Sequence, residues 1–159
     1  MAGLDDLLPR ARTPVDYLNV VTDPRLDQDG LRALATSPYP FVRHAVAACP
    51  RSDAATLAAV VTEDLDRWTR NSVLAAIAGH PNADRSVLLT ILDRTRVLLG
   101  RPDERPFAAA IALARRPELN PAEILGLVDQ PYSSRRMARG VRRASDGQNP
   151  PSRGSGRRA

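Results

Sequence analysis

The chain has 159 residues, 43% of them hydrophobic, and a formal net charge of +5 in which every basic side chain is an arginine. That length suits one domain with its own core, no run approaches the roughly 18 apolar residues of a membrane span, and the lone Cys49 excludes an internal disulfide. The N-terminus, MAGLDDLLPR, is acidic where a secretory signal would be basic, so the chain is expected in the cytoplasm.

Helices are predicted over residues 14–21, 28–36, 40–49, 54–63, 66–79, 85–99, 106–115, 121–129 and 132–142. Thr13-Pro14-Val15-Asp16 opens the first with a cap, a first-turn proline and an early acid. Asn120-Pro121-Ala122-Glu123 repeats that arrangement near the end, with Glu123 at the capping-box position. Gly100, after Leu98 and Leu99, reads as a helix stop. No stretch sustains the alternation of apolar and polar residues that a half-buried strand needs, so no sheet is expected.

Four prolines set a register: Pro24, Pro50, Pro81 and Pro117. Three residues on stand Asp27, Asp53, Asp84 and Asn120, all side chains that accept a hydrogen bond from a helix's unpaired first N–H groups. Seven on stand Leu31, Leu57, Leu88 and Ile124; ten on, Leu34, Val60, Ile91 and Leu127; eleven on, Ala35, Val61, Leu92 and Val128. Offsets of seven, ten and eleven share one face of a helix. Four before each proline stand Val20, Val46, Ile77 and Leu113. The unit is therefore a helix ending near a proline, a turn, and an Asx-capped second helix. A helix pair this short cannot bury its apolar face alone, and stacked neighbours must do it. The expected fold is all-α: an α-solenoid of about four stacked short helix pairs over residues 1–143.

The run FVRHAVAACPRSDAATLAAVVTED resembles one unit of the leucine-rich repeat variant family and, more loosely, HEAT-type repeats, through Val42-Arg43, Ala45-Val46-Ala47, Pro50 and the Leu57–Val61 stripe. The resemblance recurs in FAAAIALARRPELNPAEILGLV and covers roughly residues 14–142. It implies a right-handed superhelix of paired helices and a binding scaffold rather than a chemistry. The prolines here lie 26, 31 and 36 residues apart, longer and less regular than in that family. Some members of the family hold an iron–sulfur module, which one cysteine cannot.

Patterns that carry chemistry are missing. The H-E-x-x-H, C-x-x-C, G-x-S-x-G, Walker and dinucleotide signatures do not occur. His44 and His80 stand at different repeat offsets and, with Cys49, have no metal-ligand spacing. Neither a metal nor a cofactor is expected, and the repeated Asx residues read as caps rather than acid–base pairs.

Two segments are candidate partner-binding surfaces. One is the extra length in the third unit, 99–106, with Arg101, Asp103, Glu104 and Arg105, because insertions in solenoids fall on one edge, often the binding edge. The other is 64–70, where the only tryptophan, Trp68, stands between Arg67 and Arg70, a composition enriched at interface hot spots. Packing of Trp68 in the core is the competing reading.

Charge divides unevenly. Residues 1–130 hold 15 Arg against 17 acids; residues 131–159 hold 8 Arg against Asp146 alone. Arg135, Arg136, Arg139, Arg142 and Arg143 lie on or just beyond the last predicted helix, and Arg153, Arg157 and Arg158 in a Ser/Gly/Pro-rich stretch, 144–159, expected to be a disordered tail. These eight are candidate nucleic-acid contacts, although no aromatic residue follows Tyr132 to stack on bases. Ser145, closing RRAS, reads as a site for a basophilic kinase. The expected function is a non-enzymatic scaffold that binds a protein partner. Nucleic-acid binding through the Arg-rich segment is the alternative, and a HEAT-like DNA glycosylase a distant third.

Overall fold

The structure, a computed structural model, describes residues 1–148. Ten α-helices form among them: α1 (Leu4–Leu7), α2 (Pro14–Val21), α3 (Gln28–Ala35), α4 (Pro40–Ala48), α5 (Ala54–Val60), α6 (Arg67–Ala78), α7 (Arg85–Leu99), α8 (Phe107–Leu113), α9 (Pro121–Leu125) and α10 (Arg135–Gln148). No strand occurs among the described residues. An isolated parallel bridge joins Ala2 to Leu26.

The four Asx caps are made as the register predicts. Asp27, Asp53 and Asp84 accept the backbone N–H of Gly30, Thr56 and Val87 at 2.7, 2.7 and 2.9 Å. Asn120 accepts from Ala122 at 3.0 Å, and Glu123 reaches back to the Asn120 N–H at 2.8 Å. The stripe holds at offsets seven and ten, where Leu31, Leu57, Leu88, Ile124, Leu34, Val60, Ile91 and Leu127 are all buried, as are Val20, Val46, Ile77 and Leu113 before the turns; at offset eleven Ala35 and Leu92 are buried and Val61 and Val128 only half-buried. Each such aliphatic side chain contributes about 1.5–3 kcal/mol by leaving water, so the stripe is what holds the helices together.

The helices pack in two files. In one, α2 lies on α4, α4 on α6, α6 on α8 and α8 on α10; in the other, α1 lies on α3, α3 on α5 and α5 on α7. Between the files, the proline turns are tied to one another by side chains on either side of each proline. Arg51 donates to the carbonyls of Leu26 and Asp23 at 2.7 Å and of Val21 at 3.3 Å. One unit on, Asn82 donates to the Pro50 and Ser52 carbonyls at 3.0 Å. The buried His80 has its Nε2 2.9 Å from the Cys49 carbonyl. Its Nδ1 accepts the Asn82 N–H at 3.1 Å, so Nε2 carries the proton and donates. One unit further, Arg116 donates to the carbonyls of His80 and Ala83 at 2.8 and 2.9 Å. Carbonyls at the helix ends and in the turns, left without an intrahelical partner, are thus satisfied by the following turn.

Four differences from the sequence expectation have physical reasons. α5 stops at Val60, three residues short, where Arg43 holds the following segment through Thr62 and Asp64. α1 lies outside the predicted helices; it is a single turn whose chain entry pairs with residue 26 through the bridge. α9 stops at Leu125, and Leu127 is buried from the turn that follows, so the apolar period outlasts the helix. The boundary expected at residue 143 falls short: α10 runs to Gln148, with Ser145 buried and Gln148 Nε2 donating to the Ala114 carbonyl at 2.6 Å. Contacts to the end of α8 override a local composition that reads as loop. The remainder of the expected tail, 149–159, with Arg153, Arg157 and Arg158, lies outside the described residues.

Candidate functional site

The uneven unit lengths have a structural source. α6 is 12 residues long against eight and nine for α2 and α4, and a linker, 61–66, precedes it. In the next unit, α7 extends to 15 residues and the 100–106 loop follows. Both additions sit where a helix of the second file hands over to one of the first, and the two meet.

The linker is pinned from below. Arg43, 7% exposed, donates to the Asp64 carboxylate through both terminal nitrogens at 2.7 and 2.9 Å, to Thr62 Oγ1 at 2.8 Å and to the Ser37 carbonyl at 2.5 Å. The Arg43 hydrogen bonds, aided by Thr62, hold the Asp64 carboxyl well below the usual carboxylate range. Asp66 then caps α6, accepting the Thr69 N–H at 3.0 Å and the Thr69 hydroxyl at 2.5 Å, and these bonds lower its pKa as well. The cap fixes the first turn of α6, and with it Arg67 and Trp68.

Trp68 is 82% exposed, which disposes of the core-packing alternative. Arg67 donates to the Asp103 carbonyl at 2.9 Å, and Arg70 pairs with Glu104. These contacts bind the 100–106 loop against α6. Between them lies a groove of about 580 Å³ lined by Arg67, Trp68, Asn71, Ser72 and Ala75 on α6, and by Asp103, Arg105, Pro106 and Ala108 across from them. Its lining combines small side chains (Ser72, Ala75, Ala108) with the exposed Trp68 and Arg105.

Not every candidate residue faces this groove. The Arg70–Glu104 pair is largely withdrawn from solvent, with side-chain exposures of 21% and 11%. These two brace the loop and leave the contact surface to Arg67, Trp68, Asp103 and Arg105. Arg101 lines a separate cavity of about 360 Å³ beside α7, with Val61, Leu65, Arg94 and Val97. Sequence reading missed Arg43 and Asp66 as the residues that place the site; an Asp three residues ahead of Thr69 was the available signal for the second.

At the far end, Arg135, Arg136, Arg139, Arg142 and Arg143 are all exposed on α10. Arg135, Arg139, Arg142 and Arg143 line an open groove of about 660 Å³ with Val128, Ser133, Ser134, Ala138 and Asp146. Ser145 is 8% exposed on the inner face of α10, where a folded helix denies its hydroxyl to a kinase. Among the described residues no three His, Cys, Asp or Glu side chains converge to hold a metal, and no helix is long and apolar enough to cross a membrane. His80 is spent on the turn-to-turn bonds described above.

Comparison with models of known protein families, with curated proteins and with solved structures finds no match to this chain.

Proposed function

We propose that the chain is a non-enzymatic adaptor: a right-handed α-solenoid of about four helix pairs, similar to leucine-rich repeat variant and HEAT-like proteins, whose insertion edge binds a protein partner. The two-file packing and the hydrogen-bonded stack of proline turns support the architecture. One observation carries the function: the start of the lengthened α6 and the 100–106 loop face each other across a single groove, and its lining includes a tryptophan that is 82% exposed. Leaving such a ring in water forgoes the stabilisation that burial would give, and a partner that covers it recovers that free energy. The groove fits a protein segment that lays an apolar side chain against Trp68 beside the small Ser72, Ala75 and Ala108. A carboxylate on the same segment would meet Arg105 and Arg67.

The test is affinity capture from the native cell extract with the wild-type chain and with the Trp68→Ser and Arg105→Glu variants, with nuclease added throughout. The reading predicts a partner retained by wild type and lost by both variants, while circular dichroism shows their helix content unchanged. Capture that ignores both substitutions would overturn it.

A further inference from the structure

The outer face of α10 carries five arginines against a single acid, Asp146, which is exposed within the same arc. At 100° per residue, Arg135, Arg136, Arg139, Arg142 and Arg143 fall within an arc of about 120°, with the buried Met137, Val141 and Ser145 on the opposite side. None of the five forms an ion pair among the described residues. A helix that merely closes a stack needs a polar outer face, which mixed charges supply without repulsion. Here Arg135 and Arg139, and Arg139 and Arg143, stand four apart, a spacing at which like charges destabilise a helix. Arg135 and Arg136 also occupy the first turn, where the helix dipole disfavours cations. Asp146, three and four residues beyond Arg143 and Arg142, offsets only part of this, and no ion pair to it forms among the described residues; the net arrangement works against the stability of the element that carries it, so its rationale lies outside the fold.

We infer that α10 is a second binding site, independent of the Trp68 groove, for the phosphate backbone of double-stranded DNA. Guanidinium forks bind phosphate oxygens bidentately, and the arginines span about 12 Å along the axis, enough to meet more than one phosphate of a strand. The groove beside them offers only Val128 and Ala138 as apolar lining and has no aromatic side chain, so it lacks both an aromatic anchor for a protein partner and a platform for unpaired bases. An exposed helix face suits the wide major groove of B-form DNA, whereas the deep, narrow major groove of A-form RNA excludes it. No Asn or Gln stands on the arc to read adenine, and contact is expected to be general in sequence.

The experiment measures fluorescence anisotropy of two labelled DNA duplexes of unrelated sequence against the full chain over a salt series. The variants are Arg135→Gln/Arg139→Gln/Arg142→Gln/Arg143→Gln, the same four as Lys, and a chain ending at Gln148. Wild type is expected to bind both duplexes alike. The Gln variant should bind at least tenfold more weakly, and its log–log salt slope should fall by about 0.9 for each phosphate it no longer neutralises. The Lys variant should keep most of the slope, and it supplies the folded control if the Gln variant does not fold. The truncated chain should retain the effect of the four substitutions. No binding to duplex DNA, binding untouched by the Gln variant but abolished by truncation, or equal binding of duplex RNA or polyglutamate would each overturn the assignment.

Discussion

Asp53 and Asp84 show how little sequence is needed to set a register. Each carboxylate satisfies one N–H that helix geometry leaves unpaired, and each sits three residues beyond a proline that follows the end of the previous helix. Replacing either with Ala is expected to lower stability by about 0.5–2 kcal/mol in thermal denaturation, with Asn retaining most of it. Unchanged melting in both Ala variants would contradict the register. Asp64 makes a different residue-scale prediction. Its pKa is depressed in the folded chain, chiefly by Arg43, so its contribution is complete above its ordinary value of 3.8 and decays as pH falls below it. The melting-temperature gap between wild type and Asp64→Ala should hold steady from about pH 8 to about pH 5 and then narrow towards about pH 3. A gap that widens with acid would refute the ion pair as its source.

At the scale of the element, the Arg70–Glu104 pair decides whether the 100–106 loop is part of the scaffold or a loose appendage. Removing one partner of a largely buried pair leaves the other charge uncompensated, at about 3–5 kcal/mol, whereas replacing both by apolar residues is often neutral. Arg70→Ala is therefore expected to destabilise strongly and to speed amide exchange in 100–106, and Arg70→Met/Glu104→Leu to recover much of the stability in urea titrations. Equal destabilisation in the single and double variants would contradict the bracing role. The helices themselves were legible because caps and the apolar period are local signals, read at three, seven, ten and eleven residues from a proline. The turn-to-turn bonds were not: Arg51, Asn82 and Arg116 reach carbonyls about thirty residues away, and nothing local distinguishes them from surface polar residues. The same holds for Arg43, and for the last turn of α10, where Gln148 is kept helical by Ala114. The two candidate segments around Trp68 were each visible; that they line one groove required the packing of α6 on α8.

For the whole molecule, the contacts along the two files make each helix depend on its neighbours. Leu88 is fully buried on α7, so Leu88→Ala is expected to cost about 2–5 kcal/mol by calorimetry; a cost under about 1 kcal/mol would contradict its place in the core. The adaptor reading rests on the groove between α6 and the 100–106 loop, and the chain carries its own reporter there, since Trp68 is the only tryptophan. The most direct measurement is Trp68 emission and its acrylamide quenching, taken on the free chain and during titration with the purified captured partner made free of tryptophan. The account predicts a water-exposed, readily quenched ring in the free chain that shifts to the blue and becomes protected as the complex saturates. A complex that forms while Trp68 stays red-emitting and fully quenchable would contradict it.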